Sequence, residues 1–433
     1  ENNTKRIIKL KEYCFIFLLK FLPKIILLIM KKNIIFTLFI ILTSCSINNN
    51  ERENITNNMI AEVSYLASDE LEGRETGTDS EKLAADYIST KFKEYNLIAK
   101  GQDGYLQYFD ATIKENPHTQ TVKRTIRGIN VVGYRDNNKR ETIIIGAHYD
   151  HLGYGSFGSL YDGEPAIHNG ADDNASGVSI LINLANSLKD IDDYNYLFIA
   201  FSGEEHGLFG SSYFAKNPTI SLENVRFMMN FDMVGRLNEK NTLSVNGIGT
   251  SSKWDDLIDN SNIFDFKLKT TESGVGPSDH TSFYLQDMPV IHFFTGQHED
   301  YHKPSDDVDK INFEGMFKIH EYVKEIILQS TKIDDFDFQK TKSDTTTAPR
   351  FKVTLGVMPD YLFDGEGMRI DGVSKEKTAE KYGILKGDIV IRIGDIEVKN
   401  MMDYMTGFPF SYSHNAWLTS RFVSWLNPET YEF

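Results

Sequence analysis

A chain of 433 residues that is 40% hydrophobic and 12% aromatic has enough apolar material for two domains and a sizeable core, and it is not a disordered composition. Its formal charge of -16 argues against nucleic acid as a partner, because phosphate binding needs a basic face and the dense Lys/Arg clusters lie within the first 32 residues.

In chain order the first feature is "MKKNIIFTLFIILTSCS" from Met30, with a basic start at Lys31 and Lys32 and Cys45 directly after Leu42-Thr43-Ser44. Its apolar run is shorter than the ~20 residues a membrane span needs. The stretch resembles a bacterial lipoprotein signal with its lipobox, which makes Cys45 the expected lipidation site and implies a lipid-anchored protein of the bacterial cell envelope, at the outer membrane by analogy. Residues 1–44 are read as a leader. Within them 1–29 form a further hydrophobic stretch, broken by Lys20, Pro23 and Lys24, upstream of a start at Met30. Residues 1–44 carry eight Lys/Arg and two Asp/Glu, so their removal takes the charge from -16 to -22. It also leaves no pair of cysteines for an intramolecular disulfide, since Cys14 and Cys45 are the only two.

A polar tether is expected over 45–55. Then "MIAEVSYLASDELEGRETGTDSEKLAADYISTKFKEYNL" shows apolar spacings of three and four, interrupted at Gly73 to Thr78, and predicts two helices. Four runs follow, "INVVGYR", "ETIIIGAHYD", "YNYLFIAFSGEE" and "VRFMMNFDMVG", most of them closing on acidic residues or His. Between the second and third, Val178, Leu181, Leu184, Ala185 and Leu188 mark one face of a helix. Strands alternating with helices predict an α/β fold with a mixed sheet covered on both sides, and in such sheets functional groups collect at the carboxyl ends of strands.

Those ends carry the chemistry-bearing residues. His148 and Asp150 stand in "GAHYDHLG", where His148 reads either as a hydrogen-bonded structural residue or as a metal ligand whose ring Asp150 orients. "HNGADDNASG" adds Asp173, in a segment that also suits an Asx turn and helix cap. Asp232 ends another apolar run, where an unpaired charge is costly, and His302 lies in the Pro-marked loop "EDYHKPSDD". Glu204 and Glu205 close "YLFIAFSGEE" side by side, although adjacent carboxylates repel. His148, Asp173, Glu205, Asp232 and His302 together supply two imidazoles and three carboxylates. That N/O set suits zinc, and two zinc ions ~3.5–4 Å apart need a bridging carboxylate.

The motifs "GAHYDHLG", "GADDNASG", "FSGEEHGLFGS", "NFDMVGR", "SDHTSF" and "YHKPSDD", in this order, resemble the co-catalytic zinc aminopeptidases of metallopeptidase family 28, over about residues 56–330. "LASDELEGRETGTDSEKLAADYI" is similar to that family's leading segment. The resemblance implies a three-layer α/β/α zinc-exopeptidase domain over 56–332 and two zinc ions per chain. It makes Asp173 the bridging ligand, with His148 and Asp232 on one zinc, Glu205 and His302 on the other, and Glu204 as general base. It implies a cis peptide bond between Asp173 and Asn174. Asp279 and His280 match a motif near the substrate or behind the ligands. In extended backbone neighbouring side chains diverge, so Glu205 can reach a metal while Glu204 faces a water. The implied substrates are peptides with a free N-terminus. A carboxypeptidase or dipeptidase of the same clan, a glutaminyl cyclase and a catalytically silent binding lipoprotein are the other readings.

Beyond 332, residues 333–349 read as a polar linker. Residues 350–433 resemble a small β-rich PDZ domain through "LGVMPDY" and "AEKYGILKGDIVIRIGDIEVKN". Leu355, Gly356 and Val357 then become candidates for a groove that holds a C-terminal peptide by strand addition. The closing stretch after Tyr404 shows no alternating final strand and reads as a truncation or frameshift.

Overall fold

The computed structural model describes residues 50–114, 123–155 and 158–341, and, further on, 357–359, 366–373, 378–393, 396–399, 404 and 423–426. The leader, Cys45, Leu355 and Gly356 lie outside the described residues. None of the described helices is long and apolar enough to cross a membrane.

A helix spans 50–66 (α1), so part of the expected tether is helical; its first residues belong to a compact unit ending at Asn57. The remainder belongs to a unit from Asn58 onward. Here the expected second helix is Asp79–Glu94 (α2), capped by the Thr78 hydroxyl accepting from the Glu81 N–H. The strands follow as Ile98–Ala99 (β1), Leu106–Lys114 (β2), Lys123–Arg135 (β3) and Thr142–His148 (β4). Next come Gly177–Ser187 (α3), Asn195–Phe201 (β5), Phe209–Lys216 (α4), Val225–Phe231 (β6), Thr242–Asn246 (β7) and Trp254–Asn260 (α5). Lys267–Thr271 (β8), His280–Tyr284 (α6), Val290–Phe294 (β9) and Phe313–Ser330 (α7) complete the domain.

The sheet is mixed, in the order β1-β3-β5-β4-β6-β9-β7-β8, with β2 also on β3. Strands β5, β4, β6 and β9 are mutually parallel. Every residue of β4 and β5 is buried, which explains their unbroken apolar runs: a strand covered on both faces has no polar side to alternate with. The step from β4 to β5 moves one way along the sheet and the step from β5 to β6 moves back across β4. Right-handed crossovers then place α3 and α4 on opposite faces. Helix α3 packs on β4, β5 and α7; α4 packs on α6, and Phe214 and Phe283 from those two helices meet Ile199, Phe201 and Met228 in one buried cluster. This reversal of direction makes the carboxyl ends of β4, β5 and β6 a switch point, where α/β sheets open a crevice.

Residues 333–341 of the segment read as a linker pack on the domain. Phe336 packs 4.8 Å from the Trp254 ring and 4.9 Å from Phe227, and Phe338 lies 5.7 Å from Tyr284. The Thr341 N–H donates to the Tyr284 hydroxyl. The aromatics of "DDFDFQ" therefore hold 333–341 on the domain despite its polar composition, the partial burial of two phenyl rings outweighing the solvation of their acidic neighbours.

The C-terminal residues form an antiparallel sheet of Val357–Pro359 (β10), Met368–Val373 (β11), Ile389–Ile393 (β12), Ile396–Glu397 (β13) and Val423–Leu426 (β14), with a short helix Thr378–Lys381 (α8). Met368, Ile370, Ala379, Ile384, Val390 and Ile393 are buried in its core. The closing stretch does contribute a strand, contrary to expectation: β14 pairs with β12 through Ile389–Leu426 and Ile393–Val423. "VSWL" is too short to show alternation, yet four residues suffice for a ladder once a partner edge is present.

Candidate metal centre

The sequence-predicted ligands converge at the carboxyl ends of the parallel strands. His148 is the last residue of β4, Asp232 follows β6, Glu205 lies beyond β5, Asp173 precedes α3, and His302 lies in the loop after β9. Glu204 and Glu205 are not in extended backbone as expected. Strand β5 stops at Phe201, Gly203 adopts φ +72°, and the Glu204 carbonyl accepts the N–H groups of Gly207 and Leu208 in a turn. The divergence of the two carboxylates comes from that turn, which a run read by hydrophobicity alone does not reveal.

Asp173 stands at the middle. Its Oδ1 lies 3.4 Å from His148 Nε2, which is also 3.4 Å from Asp232 Oδ1. Its Oδ2 lies 3.2 Å from His302 Nε2, which is also 3.1 Å from Glu205 Oε2. Ligand atoms held ~2.0–2.1 Å from one tetrahedral ion stand about 3.3 Å from each other, so both sets of separations fit a zinc-sized ion. The five side chains are at most 14% exposed. Three carboxylates so placed need compensating positive charge.

Backbone contacts fix the rings. His302 Nδ1 faces the Gly158 carbonyl at 2.8 Å, leaving Nε2 as the free ligand atom. His148 Nδ1 is 3.2 Å from the Asp150 carbonyl oxygen and 3.7 Å from its carboxylate. Asp150 thus orients the ring through its main chain more closely than through its side chain, whose oxygens accept from the Glu204 N–H and the Thr76 hydroxyl. The peptide between Asp173 and Asn174 is cis. Asn174 donates to the carbonyls of His148 and Phe231 and accepts from the N–H groups of Met233 and Gly177, tying the ends of β4 and β6 to α3.

Electrostatics separates the two glutamates. Burial pushes the Glu204 carboxyl well above its usual range, and Glu205, Asp232 and Asp279 push the same way against His148. Burial acts upward on Glu205 too, but His302 and His151 hold it well below the carboxylate range. Burial lowers His148 and His302, yet Asp232 and Glu204 raise the former and Glu205 and Asp173 the latter, leaving both well above the usual imidazole value.

Asp279 and His280 do not line the cleft. Asp279 is fully buried and pushed up to about 7 by that burial. The His280 ring stacks at 4.5 Å on His292, which does line the cleft, so His280 lies one layer behind. The cleft, about 540 Å³ of open space, is lined by the candidate ligands and Glu204 together with Met233, Asn246, Pro277, His292, Phe294, Gln297 and Tyr301. Sequence reasoning missed His292, hidden in the apolar run "VIHFF", and Gln297. It also missed His151, three residues after His148 in "HYDH", and Asp306, whose Oδ2 accepts the N–H groups of Asp172 and Asp173 at 3.0 Å each.

Fold and site together define a three-layer α/β domain with a cluster of candidate metal ligands at its switch point. Residues 130–327 match the model of peptidase family M28. Aminopeptidase YwaD of Bacillus subtilis is 28% identical over 246 residues, covering 54% of this chain and 50% of its own. A probable zinc metalloprotease of Pyrenophora teres f. teres is 27% identical over 189 residues, 42% and 37% of the two chains. The chain spans about half the length or less of these curated relatives. Among solved structures, a zinc aminopeptidase from Bacillus subtilis superposes with a TM-score of 0.52 at 18% identity, over 64% of this chain and 95% of that one. A glutaminyl cyclase from Bacteroides thetaiotaomicron does so with 0.51 at 18%, over 63% and 97%. Both likenesses establish the fold.

Proposed function

We propose that the protein is a zinc-dependent aminopeptidase that binds two zinc ions and removes N-terminal residues from peptides. The observation that carries this reading is the division of Asp173, with one oxygen toward His148 and Asp232 and the other toward His302 and Glu205. A carboxylate shared in this way would serve both members of a pair of ions. His148, Asp173 and Asp232 would hold one ion, and Asp173, Glu205 and His302 the other. Bound zinc supplies a water of pKa near 7 and polarises the scissile carbonyl.

The chain's own residues do the rest. Glu204, raised by burial, accepts a proton at its carboxylate from the water that attacks the carbonyl carbon, and returns that proton to the departing amine nitrogen. Among the described residues lining the cleft none is Lys or Arg. An acidic wall without a cation suits a substrate ammonium and offers nothing to a terminal carboxylate, which favours an aminopeptidase over a carboxypeptidase. The cyclase fold likeness suggests the second reading, but five converging ligands exceed what a single ion needs.

The test is a paired panel of aminoacyl p-nitroanilides and the same compounds N-acetylated, with dipeptides and glutaminyl peptides alongside. We expect turnover of the free-amine substrates and a loss of about 10²-fold or more on acetylation. Equal cleavage of acetylated p-nitroanilides removes the aminopeptidase reading, hydrolysis confined to peptides with a free C-terminal carboxylate points to a carboxypeptidase, and ammonia release from glutaminyl peptides without hydrolysis points to a cyclase.

Lipid anchoring through Cys45 in the cell envelope and peptide capture by the C-terminal module, as a PDZ-like domain, are parts of the same proposal. The five-stranded antiparallel sheet supports the latter, with Val357 opening the strand that would border a groove. Deleting 342–433 is expected to leave turnover of short substrates intact and to weaken capture of long peptides.

A further inference from the structure

His151 is buried beside the second half of the metal centre, with its side chain fully shielded. Its Nδ1 lies 2.8 Å from Glu205 Oε1 and 3.9 Å from Asp173 Oδ2. The first distance is that of a hydrogen bond and is shorter than the ~3.3 Å between two ligands of one tetrahedral ion. The second is too long for that spacing, whereas His302 Nε2 meets it on both Asp173 and Glu205. The two imidazoles, 5.8 Å apart at their centroids and nearly perpendicular, therefore have different tasks around one carboxylate. His302 faces Oε2 and His151 holds Oε1.

The ring is seated deliberately. A Cβ on Gly170 would come within 2.6 and 2.7 Å of two His151 ring carbons, and Gly170 adopts φ +56°, which a side chain there would strain. The His151 N–H of the main chain points to the Arg74 carbonyl, and the buried Arg74 guanidinium in turn donates to the carbonyls of Tyr149, Asn169 and Gly170. His151 Nε2 is buried without a hydrogen-bond partner, which assigns the proton to Nδ1, where it is donated to Glu205.

We infer that His151 is a positioning residue for the second metal ion: by occupying Glu205 Oε1 it turns Oε2 alone toward Asp173 Oδ2 and His302 Nε2 and fixes Glu205 as a single-oxygen ligand. The inference rests on the two-ion reading above. A partner that orients a ligand typically accounts for 10–100-fold in metal affinity. Removing His151 frees Glu205 to rotate or to chelate with both oxygens, and this weakens the second ion while leaving His148 and Asp232 untouched.

The experiment titrates zinc into chelator-stripped full-length protein by calorimetry, with cobalt absorption as a second readout of coordination, for the parent, His151→Ala and His151→Asn. The expected parent binds two ions. His151→Ala should lose about 10–100-fold in affinity for one ion only and change the cobalt spectrum, and His151→Asn, which keeps an N–H donor, should recover part of that loss. An unchanged second affinity overturns the assignment, and so does equal weakening of both ions, which a general packing defect would produce. A parent that binds fewer than two ions overturns the two-ion reading itself, and with it this one.

Discussion

The two halves of the candidate metal centre share Asp173 but are built differently. His148 ends β4 and Asp232 follows β6, adjacent parallel strands whose ladder register runs through Gly146 and Asn230 just before them. Glu205 lies four residues past the end of β5 and His302 eight past the end of β9. The first half inherits its precision from sheet hydrogen bonds. The second obtains it from side chains and carbonyls reaching across loops: His151 on Glu205, Gly158 on His302, and Asp306, whose carboxylate ties the His302 loop to the backbone of Asp172 and Asp173. Substitutions outside the ligands should accordingly harm the second half more than the first.

The largest expected effect abolishes the distinction. Asp173→Asn leaves one carboxamide oxygen where two charged oxygens were shared, so both ions should weaken and kcat/KM should fall by about 10³-fold or more. Measuring metal content beside turnover checks this; retention of one tight ion would show that the halves do not depend on a common ligand. Next comes Asp306→Ala, which strands two buried N–H groups. It should cost about 2–4 kcal/mol of unfolding free energy in denaturant titration. Asp306→Asn, which keeps an acceptor oxygen, should cost less than half of that. Equal losses for the two variants would deny the carboxylate its role in joining the loops.

The smallest effect on metal binding is expected of a control remote from both halves. Glu62 in α1 is buried, accepts from Ser179 and Asn183 of α3, and is pushed up to about 8 by burial. Between its unfolded value near 4.5 and about 8 the folded state holds a proton that the unfolded chain has lost. Stability from this group is therefore full below pH 4.5 and is lost as pH rises toward 8, by at most about 1.4 kcal/mol per unit. Glu62→Gln should flatten the fall of Tm between pH 5 and 8 without altering metal affinity. A parent whose Tm rises through that range, or a variant with the parent's slope, contradicts this.

The same division marks what the sequence could disclose. The apolar runs of β4, β5 and β6 and the spacing of Val178, Leu181, Leu184 and Ala185 in α3 were legible, because burial on one or both faces imposes a pattern on composition. So were the residues that converge at the strand ends, which repeat one chemistry there. The loop-built half was not: the turn that separates Glu204 from Glu205 and the hydrogen bond from His151 depend on distant segments meeting. The helix over the expected tether and the packing of 333–341 were missed for a related reason. Polar composition there concealed a few buried contacts, Phe336 against Trp254 among them. His280, read as near the substrate or behind the ligands, lies behind His292, whose place in β9 gave no polar signal.

The most direct test of the account is metal content measured together with hydrolysis of a free-amine p-nitroanilide for the parent and Glu204→Gln. The account predicts two zinc ions in both proteins and a loss of about 10²–10⁴-fold in kcat for the variant, since on the proposed reading Glu204 would move the proton and hold no ion. Undiminished hydrolysis by Glu204→Gln, or loss of metal along with activity, would contradict it.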